Sequence, residues 1–220
     1  MNLLIIDTET TGIDENLHNA IEVAAILYNL ESKQILQQAS TLVRVNDNSA
    51  EKINKIPAEL SKKCNEKPVI DAIKIMAENA GAIVAHNAEF DKKFIGKCGL
   101  SCLEPMHWIC SYRDIDYECG QSSLVQLALN HDVPVVSAHR ALTDCIILAN
   151  IFSKIDNLDE IIKESMKPRS IYVANISFED RQIAKDHGFV WNGIIEKKWA
   201  KKITKEQAQK IPFKISEVKK

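Results

Sequence analysis

Two carboxylates two residues apart, Asp7 and Glu9, follow directly on the apolar run Leu3-Leu4-Ile5-Ile6. The run reads as a buried strand. Strand side chains alternate faces, so both acids point to one side, with Cα atoms roughly 6 to 7 Å apart. Like charges held together beside a core destabilise a fold unless a cation sits between them, and hard oxygen donors select Mg²⁺ or Mn²⁺. The other reading ends the strand at Asp7 and leaves both acids facing water in the turn Thr10-Thr11-Gly12. A lone Asp-x-Glu does not choose between them.

The rest of the chain supplies context. Strand-like stretches at 20–30 and 34–45, joined by the polar turn Glu31-Ser32-Lys33, form an antiparallel meander with the first strand. Helical patterns follow: a short one at 49–54, then one from Pro68 to Asn79 with proline in its first turn and Gly81 just beyond its end. Residues 82–86 and 107–111 read as short strands, and Asn87 as the cap of a helix running toward Gly99. Two last helices occupy 122–130 and 137–155, the second capped by Ser137. Strands first, then alternating helices and strands, give an α/β fold with a mixed sheet flanked by helices.

Charge divides the chain. Residues 1–167 carry 16 Lys/Arg against 24 Asp/Glu, whereas residues 168–220 carry 12 against 6. We therefore expect a main domain over 1–157, a linker over 158–170 and a small basic accessory domain over 171–220. The last would be of βαββ type, with Asn192-Gly193 as a hairpin turn between strands at 189–191 and 194–199. A basic module suits a polyanionic partner, although lysines such as Lys197, Lys198, Lys201, Lys202 and Lys205 also simply solvate a small domain. No cationic leader and no apolar run near 18 residues is present, so a cytoplasmic protein with no membrane partner is expected. Six scattered cysteines fit reduced thiols. The spacing of Cys98, Cys102, His107 and Cys110 admits a zinc site, against the plainer reading of core cysteines.

Two more segments bear on Asp7 and Glu9. In His86-Asn87-Ala88-Glu89-Phe90-Asp91 a strand gives way to a helix, and Asp91 falls in its first turns, where the helix dipole favours a carboxylate. In His139-Arg140-Ala141-Leu142-Thr143-Asp144 the acid opens a helix that is apolar nearly all round, so a carboxylate there needs a partner. His139 and Asp144 would lie roughly 140° apart on one continuous helix, which places His139 in the preceding loop or first turn if both serve one site.

Together, DTETTG at 7–12, HNAEFD at 86–91 and HRALTD at 139–144 resemble the three motifs of the DEDDh (DnaQ-like) 3′–5′ exonucleases, the group that includes exonuclease X and polymerase proofreading subunits. The resemblance covers about residues 1–155. It implies a ribonuclease H-like domain in which Asp7, Glu9, Asp91 and Asp144 hold two Mg²⁺ or Mn²⁺ ions and His139 is the general base. In the family arrangement Asp7 bridges both ions, Glu9 and Asp144 complete the site of the attacking water, and Asp91 supports the second ion. The implied reaction hydrolyses terminal phosphodiester bonds of DNA from the 3′ end and releases nucleoside 5′-monophosphates.

That chemistry suits the residue types. Two metals roughly 3.5 to 4 Å apart generate a hydroxide and stabilise the leaving oxygen, and imidazole titrates nearest physiological pH of any side chain. The resemblance also implies that Thr10 meets the terminal sugar and Asn87 the penultimate nucleotide, though turn or cap duty explains both residues as well. Glu22 is read as structural. Where many relatives have His-Gly-Ile-Thr, this chain has Asn54-Lys55-Ile56-Pro57, so substrate preference transfers less directly than catalysis. RNA in place of DNA, and a nucleic-acid-binding adaptor without catalysis, are the alternatives. The expected partner is a nucleic acid with a 3′ end, in the setting of a polymerase or repair complex.

Overall fold

The structure is a computed structural model that describes residues 1–120, 122–135 and 139–218. Ser137, the expected cap, lies outside the described residues. The chain divides into two compact units, Met1–Met166 and Lys167–Lys220.

In the first unit, β1 (Asn2–Thr10), β2 (Ala20–Asn29) and β3 (Gln34–Leu42) form the antiparallel meander. Three helices follow: α1 (Glu51–Asn54), α2 (Ala58–Ser61) and α3 (Lys67–Glu78). Then come β4 (Ala82–Ala85), α4 (Ala88–Ile95), two 3₁₀ turns, β5 (Trp108–Cys110), α5 (Leu124–Asn130), α6 (Ala141–Lys154) and α7 (Leu158–Ser165). The sheet order is β3-β2-β1-β4-β5, with β4 and β5 parallel to β1. Central strands are apolar on both faces because both faces are covered. Leu3, Ile5, Ala24, Ile26 and Tyr28 pack with Cys145, Leu148 and Phe152 of α6, while Leu4, Ile6, Val23 and Ala25 pack with Ile73 and Met76 of α3 and Phe94 of α4. By alternation, Asp7 and Glu9 continue the row that faces α6. β1 does not stop at Asp7. It runs through both acids to Thr10, which removes the open-turn reading.

Residues 158–165, expected within a linker, form α7. Leu158 and Ile162 are buried in the main core, on the spacing of one helical face, and the acidic residues between them face outward. Among the described residues no helix is long and apolar enough to cross a membrane.

The second unit contains β6 (Ser170–Ala174), α8 (Arg181–Asp186), β7 (Val190–Trp191), β8 (Trp199–Ile203), α9 (Lys205–Gln209) and β9 (Ile215–Glu217), in an antiparallel sheet of order β7-β8-β6-β9. The helices pack on the face that carries Tyr172, Ala174 and Ile203. The expected tight Asn192-Gly193 turn is absent, and 194–198 is not a strand. A two-residue type I′ turn needs positive φ at both positions, and only Asn192 has it, at 55°. Instead the Asn192 Oδ1 accepts from the Lys197 backbone at 2.8 Å and closes a wider loop. A Cβ at residue 193 would lie 2.7 Å from Val190 Cγ1, so glycine is required there by space.

Candidate metal centre

The parallel strands β1, β4 and β5 end on one edge of the sheet, and the three sequence motifs sit on that edge. Asp7 lies opposite Ala24 and Glu9 opposite Glu22 across the β1–β2 pair. A bulge between Glu9 and Thr10 shifts the register there, a common device for re-aiming side chains beside a site. Asn54, buried, anchors the strand end by donating to the Thr10 carbonyl at 3.1 Å. The Thr10 hydroxyl donates to the Gly12 carbonyl at 2.7 Å, so it serves the turn.

Asp91 comes in from α4. Its buried carboxylate accepts from the Thr8 backbone at 2.9 Å and the Thr8 hydroxyl at 2.8 Å. Asn87 stands at the N-cap position of α4, yet its side chain makes no capping hydrogen bond, contrary to the sequence expectation; the amide is exposed. On the other side, α6 brings Asp144 in its first turn. His139 lies in a bend ahead of the helix with φ at 65°, a left-handed conformation that histidine tolerates better than most residues. One donor atom each from Glu9, His139 and Asp144 all lie within 4.8 Å of one another, and no other such His/Cys/Asp/Glu group forms among the described residues. Cys98, Cys102, His107 and Cys110 therefore do not converge. Cys98 and Cys110 are buried, their thiols directed at the Phe94 and His86 carbonyls.

Sequence reading gave Glu22 only a structural part; its contacts are more specific. Fully buried in β2, Glu22 accepts from Arg140 Nε at 3.0 Å, from Arg140 Nη2 at 2.7 Å and from the Ala141 backbone at 3.0 Å. The fork holds the first residue of α6 against β2, between His139 and Asp144. Breaking a fully buried ion pair costs roughly 3–5 kcal/mol, and less is expected from the Arg140 side because that side chain is half exposed. The signal was in the sequence: one acid inside the otherwise apolar Ala20–Leu27 stretch requires a partner.

The carboxylates disturb one another. Burial, then the charges of Asp91, Asp144, Glu9 and Glu22, push the Asp7 pKa well up. Burial, then Asp144, Glu22 and Asp91, lift Glu9 from its usual 4.5 to about 8, with Arg140 opposing. Burial lifts Asp91 from 3.8 to about 7 against the two Thr8 hydrogen bonds. Burial also raises Asp144, and the neighbouring His139 opposes it. Four acids that disfavour their own ionisation, all oxygen donors, form a set that a divalent cation would stabilise. Of the four acids, Glu9 and Asp144 join the converging group and Asp7 and Asp91 do not, although all four act on one another electrostatically; the chemistry of these oxygen donors suits Mg²⁺ or Mn²⁺ better than softer ions.

A pH dependence follows. A carboxylate with a raised folded-state pKa favours the fold fully below its unfolded value, and that contribution is lost as the pH rises through the folded value. For Glu9 the window runs from 4.5 to about 8, and for Asp91 from 3.8 to about 7. With chelator present, the thermal midpoint should fall as the pH is raised from about 5 to about 8.5. Mn²⁺ at about 100 times its Kd should restore about 2.7 kcal/mol, or roughly 5–10 °C, chiefly at the alkaline end. Calorimetry with EDTA or Mn²⁺ at both pH values checks this; a midpoint insensitive to metal at the alkaline end would contradict it.

Residues 4–152 match a family model described as "Exonuclease", and residues 170–218 match one described as a domain of unknown function. A PolC-type DNA polymerase III from Thermotoga maritima is 27% identical over 162 residues, which are 68% of this chain and 11% of that polymerase. Among solved structures, exonuclease X in complex with 5′-overhanging duplex DNA superposes with a TM-score of 0.57 at 25% identity, covering 75% of this chain and 99% of that one. The nuclease domain of 3′hExo, a DEDDh family member bound to rAMP, gives 0.56 at 21% identity, covering 72% and 92%.

Proposed function

Because the chain belongs to the exonuclease family over residues 4–152 and has the ribonuclease H-like exonuclease fold, we propose that its first unit removes nucleotides from the 3′ end of DNA with the help of two divalent ions. The observation that carries this reading is the convergence of Glu9, His139 and Asp144 within 4.8 Å, beside the buried Asp91 and the strongly perturbed Asp7. Bound divalent ions supply a water of lowered pKa and stabilise charge on the leaving oxygen.

The chain's own residues do the rest. Asp7, Glu9, Asp91 and Asp144 would hold the ions and offset their charge. His139, which favours the ionised form of the Asp144 carboxylate beside it, accepts the proton of the attacking water. The water oxygen bonds to phosphorus, the bond from phosphorus to the 3′ oxygen breaks, and that oxygen takes up a proton. The products are a nucleoside 5′-monophosphate and a strand one residue shorter. The exposed Asn87 amide is available to the penultimate nucleotide. The Thr10 hydroxyl serves the turn, so its part toward the terminal sugar is to shape the pocket together with Gly12, whose Cβ would otherwise collide with the His18 ring. Alignment to a PolC-type polymerase supports a polymerase setting for the activity.

The test uses matched single-stranded DNA, duplex DNA and RNA, each labelled at the 5′ end, with Mn²⁺. A ladder shortening one nucleotide at a time from the 3′ end, with nucleoside 5′-monophosphates as product and DNA consumed faster than RNA, is the expected result. Internal cuts or intact strands would remove the reading, and faster decay of RNA would change its substrate.

A further inference from the structure

Beyond the carboxylates, the same sheet edge continues into a second cleft at the ends of β4 and β5. It has a volume of about 310 Å³ and is lined by His86, Asn87, Tyr112, Arg113, Ser123 and Leu124. Its walls are fixed by local bonds. The backbone of Ser111 donates to the Ala85 carbonyl at 2.9 Å, and the Arg113 and Asp114 amides return to the Cys110 carbonyl. The Asp114 carboxylate in turn accepts from the Cys110 amide at 2.8 Å. This tight turn presents two consecutive exposed side chains, Tyr112 and Arg113. His86 is oriented by Ser111 Oγ at 2.9 Å, and its ring meets Tyr112 edge to face, with centroids 5.7 Å apart and an interplanar angle of 73°. Tyr112 keeps 40% of its surface open.

The chemistry of this cleft is the reverse of that beside it. The carboxylate cluster is acidic apart from Arg140 and His139, whereas here an exposed aromatic ring stands next to an exposed guanidinium. The 40% of Tyr112 left open offers ring surface for stacking, and an exposed arginine beside an acidic site can take an anion. Adjacent strands are about 4.8 Å apart, so β4 and β5 lie one and two strand spacings from β1. That places the cleft on the β4–β5 side of the carboxylates, where Asn87 lines it. Open α/β sheets take ligands in the crevice at the carboxyl ends of their strands, and both clefts occupy that crevice.

We propose that this cleft is the subsite for the penultimate nucleotide of the strand, with Tyr112 stacking on its base and Arg113 binding its phosphate. The proposal rests on the exonuclease reading above and adds two strand-binding residues to it. Stacking on Tyr112 tolerates any base, so the subsite measures the presence of a base rather than its identity. Its effect is to hold the strand while the terminal nucleotide reacts.

Steady-state rates on short oligonucleotides separate the possibilities. Wild type should show a KM about tenfold higher when the penultimate residue is abasic. Tyr112→Ala should bind the intact and abasic strands alike, and Tyr112→Phe should restore the wild-type difference. A neutral methylphosphonate at the penultimate linkage should raise KM about tenfold for wild type and have little further effect on Arg113→Ala. Wild type that is indifferent to the abasic site, or Tyr112→Ala that keeps the full abasic penalty, would overturn the stacking role. A methylphosphonate penalty undiminished in Arg113→Ala would overturn the phosphate role. If wild type does not shorten the unmodified strand at all, the exonuclease reading itself fails and takes the subsite with it, a result distinct from either of the others.

Discussion

Asp7→Asn is expected to lower kcat/KM on a 3′-ended strand by at least about 10³-fold, a loss of several kcal/mol of transition-state stabilisation. Of the four acids, Asp7 feels the largest number of others: Asp91, Asp144, Glu9 and Glu22 all act on it. It is the centre of the cluster in the electrostatic sense, so a cation bound at the cluster would relieve it most. Asparagine keeps the shape of the side chain and removes one negative charge, so the fold should hold or become more stable at alkaline pH while metal affinity falls. That pairing of outcomes is diagnostic. A variant that merely unfolds would lose stability and activity together, and one that kept activity within tenfold would mean the ions, if needed, are held without Asp7. Circular dichroism and Mn²⁺ titration on the same sample read both quantities.

His139→Ala is expected to lose about 10²- to 10⁴-fold in kcat while retaining most of the affinity for Mn²⁺. The geometry leaves two parts open to this residue, since its ring lies within 4.8 Å of Glu9 and Asp144 donor atoms and would serve equally as a ligand or as a base. Position favours the base. His139 is exposed, stands in a bend outside the helix and approaches the cluster from the solvent side, where a water and its proton must pass. A base can be replaced from solution, so imidazole added at high concentration should return part of the rate. A fall in Mn²⁺ affinity of the same size as the fall in kcat, with no rescue by imidazole, would assign His139 to the metal instead.

The main unit was legible because its signals are strong and local. An apolar run ending in Asp-x-Glu, a strand entering a helix at His86-Asn87, and a long apolar helix behind His139 each have one easy structural reading, and the observed strands and helices follow them within a few residues. What escaped the sequence depends on partners far along the chain. Nothing near Glu22 announces that Arg140 will meet it, and Asn54 became a strand-end anchor through a contact with Thr10, 44 residues away. The segment 158–165 reads as polar because its acids outnumber its anchors, yet Leu158, Ile161 and Ile162 suffice once a core is present to receive them. Asn192-Gly193 failed for the opposite reason: a strong local signal was not followed, since Gly193 does not take the positive φ of a type I′ turn and the Asn192 side chain closes a longer loop through the Lys197 backbone. Tyr112 and Arg113 carry no motif, and only the turn after β5 gives them a common cleft with His86 and Asn87.

The Glu22–Arg140 fork also fixes the order in which the site can be completed during synthesis. Its partners are 118 residues apart, and the Thr8–Asp91 contact spans 83, so Asp7, Glu9 and Glu22 leave the ribosome long before Asp91 and Arg140. At a synthesis rate of about 5–20 residues/s, Glu22 precedes Arg140 by roughly 6–24 s. Through that interval Asp7 and Glu9 belong to an unfinished sheet that lacks α6, His139 and Asp144. The carboxylates and His139 come together only after that long helix has docked, so a chain that stops short of α6 carries the opening Asp-x-Glu without the partners that complete the site.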